Sequence, residues 1–267
     1  MPMERLPWEQ LPAGVRSAVA GKLPGEFSVE DMASGGNSAV AVLFLLADGR
    51  RVFVKGMSSD HEQIEELERE RRVNAYLPAC APRLLWHMEA GGWSLLGFEG
   101  LTGTWADYAT GSADLELVVS ALTSLSDCAG PDGVPTAWDR WGYYCSPDDA
   151  AHLAGTRILH TDPAAVNFLV GGDHARLIDW AWTAVGPAWA DTVLWATRLI
   201  ADGDQKADEA YAWASHVPAF RQAPHRALCV LAEAEARSWE DHRAHGEPHI
   251  ETMTDAARAW ADFLARG

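Results

Sequence analysis

The pattern of apolar and polar positions divides the chain into a strand-rich first part and a helix-rich second part. Alternation with period two marks strands, and apolar residues three and four apart mark helices. A short helix is predicted over 12–20, within proline-bearing flanks, followed by strands over 27–33 and 39–46. The small residues Ser34-Gly35-Gly36-Asn37-Ser38 turn the chain between those strands. Asp48-Gly49 is a hairpin signal, and Arg51-Val52-Phe53-Val54-Lys55 alternates as a half-buried strand ending on a lysine. Ile64, Leu67, Val73, Tyr76 and Leu77 form one stripe of a helix over 60–77, stopped by Pro78. Segments 82–87 and 93–98 flank Gly91-Gly92 as a second hairpin. The first part therefore reads as a five-stranded antiparallel sheet with one helix.

Residues 99–103 read as a hinge, and helical periodicity takes over after them. Helices are expected over 114–126, 147–153, 188–200, 208–215, 226–239 and 251–264, with a turn-rich stretch over 130–147. Their apolar stripes include Leu115, Val118, Leu122 and Leu125, then Val193, Ala196 and Ile200, then Leu228, Ala232 and Trp239, then Met253, Ala257, Trp260 and Leu264. In their midst lies a strand–loop–strand–turn–strand run that begins near Leu159. The expected class is α+β, with a lobe over 1–99 and a mostly helical lobe over 100–267.

Composition narrows the function. Charges of 21 Lys and Arg against 38 Asp and Glu give −17, which argues against a nucleic-acid backbone as partner. That charge suits a cationic ligand, and serves solubility equally well. The four cysteines are scattered, with no C-x-x-C, so neither a zinc cluster nor a disulfide frame is indicated and a reduced, cytoplasmic setting is expected. Residues 1–11, with Pro2, Glu4, Pro7 and Glu9, hold no signal-peptide core, and no apolar run approaches the roughly twenty residues that span a bilayer.

The candidate chemistry sits on a few polar residues. Glu70 lies on the apolar stripe of the 60–77 helix, where a carboxylate is costly unless paired. Lys55 is its expected partner, with Glu66 as the other carboxylate near that face. Further on, Leu159-His160-Thr161-Asp162-Pro163-Ala164-Ala165-Val166-Asn167 precedes Ile178-Asp179-Trp180. A carboxylate, an amide five residues later and a second carboxylate twelve beyond that suit phosphoryl transfer. Asp162 would take the acceptor's proton, while Asn167 and Asp179 would hold Mg²⁺ against nucleotide phosphates. In such a loop His160 braces the backbone. A metallohydrolase built on His160, Asp162, His152 and His174 is disfavoured, because the histidines lack helix-type ligand spacing.

These motifs, with Val52-Phe53-Val54-Lys55, Leu67-Glu68-Arg69-Glu70 and Ala81-Pro82-Arg83-Leu84-Leu85, resemble the aminoglycoside phosphotransferase family of small-molecule kinases. The resemblance runs from about residue 27 to 195. It implies a two-lobed protein-kinase-like fold with ATP or GTP bound between the lobes and Mg²⁺ as cofactor. It implies that Lys55 contacts the phosphates, that Glu70 holds Lys55, that Asp162 is the base, and that Asn167 and Asp179 bind the metal. Gly35, Gly36, Ser38, Phe98 and Gly100 complete the expected nucleotide-binding set, and Asp191 resembles the family's aspartate that supports the loop. The implied acceptor is a hydroxyl of a small molecule: an aminoglycoside, another antibiotic or a metabolite, with cationic ones favoured by charge. A monomer or homodimer, with no nucleic-acid or membrane partner, is expected. The sequence departs from the family's common H-G-D-L with His160-Thr161-Asp162-Pro163, and a catalytically weak nucleotide-binding protein is the alternative reading.

Overall fold

A computed structural model of the chain describes residues 5–32, 38–243 and 246–267. The chain divides into two compact units, Met1–Ala75 with Ala81–Thr102, and Tyr76–Cys80 with Gly103–Gly267. The division falls three residues later than the expected 99/100. Tyr76–Cys80 joins the second unit because the Leu177 N–H donates to the Cys80 carbonyl at 2.7 Å.

The first unit holds helix α1 (Ala13–Ala20), strands β1 (Phe27–Asp31), β2 (Val40–Leu46), β3 (Arg51–Ser58), β4 (Leu84–Ala90) and β5 (Trp93–Glu99), and helix α2 (Ile64–Val73). The strands form one antiparallel sheet in the order β1-β2-β3-β5-β4. Alternation along β3 fixes what each face buries. Val52 and Val54 pack with Trp8, Val15, Val19 and Phe44 on the α1 side. Phe53 and Met57 pack with Ile64, Leu67, Leu96 and Phe98 on the α2 side. The sheet is thus covered on both faces, by α1, which falls within the expected 12–20, and by α2. Gly91 and Gly92 have φ of 56° and 78°, the positive values a two-residue hairpin turn requires.

Helix α2 is shorter than the expected 60–77. At its start the Gln63 N–H donates to His61 Nδ1 at 3.1 Å, a local bond that competes with helix. Past its end a 3₁₀ turn spans Asn74–Tyr76. Asn74 donates from Nδ2 to the Pro82 carbonyl and accepts the Leu84 N–H on Oδ1, which ties the turn to β4.

The second unit contains β6 (Thr104–Trp105), α3 (Asp114–Ser126), α4 (Ala137–Trp141), α5 (Ala150–Leu153), β7 (Arg157–Leu159), β8 (Phe168–Gly171), β9 (His174–Leu177), β10 (Ala184–Gly186), α6 (Ala190–Gly203), α7 (Ala207–Ala214), α8 (Pro218–Arg221), α9 (His225–His242) and α10 (Pro248–Arg266). Two small sheets, ordered β6-β8-β9 and β10-β7, hold the segments on either side of the polar loop. The turn-rich stretch over 130–147 hides α4, started by a capping box in which Thr136 and Asp139 satisfy each other's backbone N–H. Trp180, Trp195 and Trp260 are among the largest fully buried side chains, so part of the chain's tryptophan content is core of this unit. Among the described residues no helix is long and apolar enough to cross a membrane.

Candidate active site

In the first unit, pleating turns Lys55 to the α2 side of the sheet, and the stripe of α2 brings Glu70 to meet it. Lys55 Nζ lies 2.5 Å from Glu70 Oε2, with the residues 6% and 2% exposed. Glu70 is thus an ion-pair partner of Lys55. Two charges this deep are costly to desolvate, so the pair is weak evidence for stability and better evidence for a functional charge. Ser38 is buried just before β2. Gly35 and Gly36 lie outside the described residues. Phe98 is a core residue, packed with Met57, Leu67 and Leu96. Gly100 donates its N–H to the Arg51 carbonyl, and a Cβ there would stand 2.5 Å from Arg51 Cβ. Backbone closeness thus accounts for Gly100.

In the second unit the loop after β7 is held at nearly every residue. His160 Nε2–H donates to the Ile178 carbonyl at 2.8 Å, and Nδ1 accepts the Asp162 N–H at 3.3 Å. One neutral tautomer satisfies both bonds. The ring stands edge-on to Trp180, with centroids 4.7 Å apart. Asp191 sits at the start of α6 and is almost wholly buried. Its Oδ2 accepts the His160 N–H at 2.7 Å and its Oδ1 the Thr161 N–H at 2.8 Å. Burial pushes the Asp191 carboxyl above its usual range, against the opposing pull of His160 and the two N–H bonds.

Asp162 is held from two sides. Asn167 Nδ2 donates to its Oδ2 at 3.0 Å and to its carbonyl at 2.9 Å. Arg198 Nη2 donates to Oδ1 at 2.6 Å. Asn167 thereby spends its amide donors on the loop, and its amide oxygen is of the type that could ligate a hard cation. The Ile178 N–H donates to the Asn167 carbonyl at 2.9 Å, which ties the segment before Asp179 to that of Asn167. Asp179 has φ of 65° and caps a 3₁₀ turn, Trp180–Trp182. Two oxygen ligands from the protein, completed by phosphate oxygens and water, fit Mg²⁺, which seldom takes an all-protein cage. Among the described residues no three His, Cys, Asp or Glu side chains are grouped to hold a metal unaided. His174 pairs with Asp173 at an exposed turn, away from the role a metallohydrolase would need.

The sequence did not single out Thr161, Tyr108, Arg198 or Glu235. Thr161 takes φ of 73°, a left-handed conformation that costs a β-branched residue about 1–2 kcal/mol. Its N–H bond to Asp191 and its Oγ1–H bond to the Trp182 carbonyl hold it there. The glycine usual at that place in the family's motif is the signal that pointed to this conformation. Tyr108 donates its hydroxyl to the Pro163 carbonyl at 3.0 Å, so the unusual proline is pinned in place. Glu235, on α9, accepts the Thr197 hydroxyl at 2.8 Å, and burial pushes its carboxyl up to about 7. Three acidic residues of this unit have structural partners. Asp149 pairs with Arg226, Glu209 caps α7, and Glu240 pairs with Arg258.

No family model and no curated protein matches this chain. Solved structures do match. An aminoglycoside phosphotransferase from Alicyclobacillus acidocaldarius is 15% identical, with TM-score 0.60 over 98% of this chain and 97% of that one. A Plasmodium vivax ethanolamine kinase is 12% identical, with TM-score 0.62 over 91% and 85%. A thermostable mutant of another aminoglycoside phosphotransferase, in ternary complex with ADP and hygromycin B, is 15% identical, with TM-score 0.54 over 94% and 98%. An antiparallel five-stranded unit followed by a helical unit, with the loop between β7 and β8 clamped by the first residues of α6, gives this chain the protein-kinase-like fold of the aminoglycoside phosphotransferases and related small-molecule kinases.

Proposed function

We propose that the protein is a phosphotransferase that moves the γ-phosphoryl group of ATP or GTP to a hydroxyl of a small, amine-bearing molecule. The observation that carries this reading is the geometry of Asp162. Its carboxylate is fixed through both oxygens at the centre of a loop whose backbone is tied to α6 and whose Thr161 and His160 side chains are tied to Trp182 and Ile178. Phosphoryl transfer needs little covalent chemistry from the protein and much positioning, which is what such a loop supplies.

Each residue then has one task. Asp162 accepts the acceptor hydroxyl's proton and orients that oxygen for in-line attack. Asn167 and Asp179 offer oxygen ligands to Mg²⁺, which when bound neutralises phosphate charge. Lys55, kept in place by Glu70, donates to phosphate oxygens. The ADP-bound neighbour supports an adenine nucleotide as donor. An acceptor that carries amines is supported by the neighbours' acceptor classes, by the net charge of −17, and by a surplus of carboxylates near the loop. Asp162, Asp202 and Glu235 are three carboxyl groups gathered on one guanidinium, that of Arg198.

The test is transfer by Asp162→Asn. The variant should bind nucleotide as the wild type does and lose turnover by on the order of 10³-fold, as removal of a general base does. Wild-type turnover by that variant would refute the assignment. A second reading, a nucleotide-binding protein of weak activity, is favoured by one observation: Arg198 occupies Asp162 Oδ1. Nucleotide binding with no product from any amino alcohol would support it.

A further inference from the structure

Helix α6 carries a second handle on the loop besides Asp191. Arg198 and Asp202 stand seven and eleven residues after Asp191, so all three lie within about 20° of one line along the helix. Each grips a different part of the loop. Asp191 holds the backbone N–H groups of His160 and Thr161. Arg198 holds the Asp162 side chain at 2.6 Å. Asp202 Oδ2 accepts the Ala165 N–H at 3.4 Å.

The Arg198 guanidinium is itself fixed by its surroundings. Asp202 Oδ1 lies 3.9 Å from Nη1, the Trp239 ring 5.8 Å from the guanidinium carbon, and Met253 Sδ 3.1 Å from Nη1. Glu235, on the facing helix α9, adds a further carboxyl nearby and is anchored by Thr197, the residue before Arg198. A planar guanidinium held on this many sides has little freedom left, and it passes that order to whatever it bonds.

We propose that Arg198 is a positioning residue for the transfer reaction: it holds the Asp162 carboxylate in the single orientation that accepts the acceptor's proton. Asp191 orders the backbone of the loop, and Arg198, two helical turns on, orders its reacting side chain. The inference rests on the phosphotransferase reading and adds to it a residue that contacts the base and not the phosphates.

Two measurements test it on the full-length protein. The first is the ¹⁵N guanidinium spectrum. The wild type should show a slowed arginine side-chain signal that is absent in Arg198→Lys and that shifts and rotates faster in Asp162→Asn. A signal unchanged by Asp162→Asn would overturn the pairing. The second is turnover with ATP and Mg²⁺, using ethanolamine and hygromycin B as acceptors. Arg198→Met should lower kcat on the order of 10²-fold, the loss expected of a displaced reactive group, with KM for ATP changed less than about twofold. Arg198→Lys, which keeps charge without the planar fork, should recover part of kcat. Wild-type kcat in Arg198→Met, or a loss of ATP affinity equal to the loss of kcat, would overturn the proposal. If Arg198→Met does not fold, Arg198→Lys decides, and wild-type kcat in that variant would overturn it. If the wild type yields no product, the phosphotransferase reading fails, while the guanidinium spectrum still decides whether Arg198 orders Asp162.

Discussion

At the scale of residues, the loop stores strain in Thr161 and holds it with hydrogen bonds. Replacing Thr161 by Gly relieves a left-handed conformation but removes the hydroxyl bond, each about 1 kcal/mol, so urea unfolding should move by less than about 1 kcal/mol. Thr161→Ala keeps the strain and loses the bond, and should be the less stable of the two. Equal midpoints would show that the φ of 73° carries no penalty. Glu235 gives a prediction in pH. Its carboxyl, ordinarily near 4.5, is raised by burial to about 7 in the folded protein. Between those values the unfolded chain sheds a proton that the folded chain keeps, so stability falls as pH rises from 4.5 to 7. The loss is on the order of 3 kcal/mol. Glu235→Gln should flatten that part of the stability profile measured by denaturant unfolding. A slope that persists would assign it to another group. The contacts of His160, Asp162 and Asn167 were legible in the sequence because they depend on short spacings along the chain. Arg198 was not, because it reaches Asp162 from 36 residues away and only the register of α6 brings it there.

At the scale of elements, strand and helix periodicity located most of the architecture, and misses fell where side chains override it. The capping box at Thr136 turns part of a glycine- and proline-rich stretch into α4. Asn74 and His61 shorten α2 at both ends. The β3–α2 contact carries the buried Lys55–Glu70 ion pair. Breaking such a pair from one side strands a charge, so Glu70→Met and Lys55→Met should each destabilise by about 3 kcal/mol. The double variant should be destabilised by much less than their sum. Additive losses in that cycle would mean that the two groups do not depend on each other. Glu70→Met should also weaken ATP binding, because Lys55 is then no longer aimed.

At the scale of the whole molecule, charge is the property that composition made plain and local structure could not. The formal charge of −17 sets up a field that draws cations in and is screened by salt. For an amine-bearing acceptor, kcat/KM should fall severalfold as ionic strength rises from about 0.02 to about 0.5 M, while kcat changes little. An acceptor whose kcat/KM ignores salt would be neutral, and the charge would then serve solubility alone. The class of fold was legible in the order of elements, and the proposed reaction class rests on one loop. The gathering of Asp162, Asp202 and Glu235 around Arg198 was not legible, because tertiary packing brings these residues together from distant parts of the chain.

The most direct test follows phosphorus itself. With ATP, Mg²⁺ and a panel of amino alcohols and aminoglycosides, ³¹P NMR should show a new phosphomonoester resonance growing as the γ-phosphate signal of ATP declines. With Asp162→Asn at equal concentration that resonance should be absent. ATP that binds yet yields no phosphomonoester with any acceptor, or a phosphomonoester formed as fast by Asp162→Asn, would contradict the account.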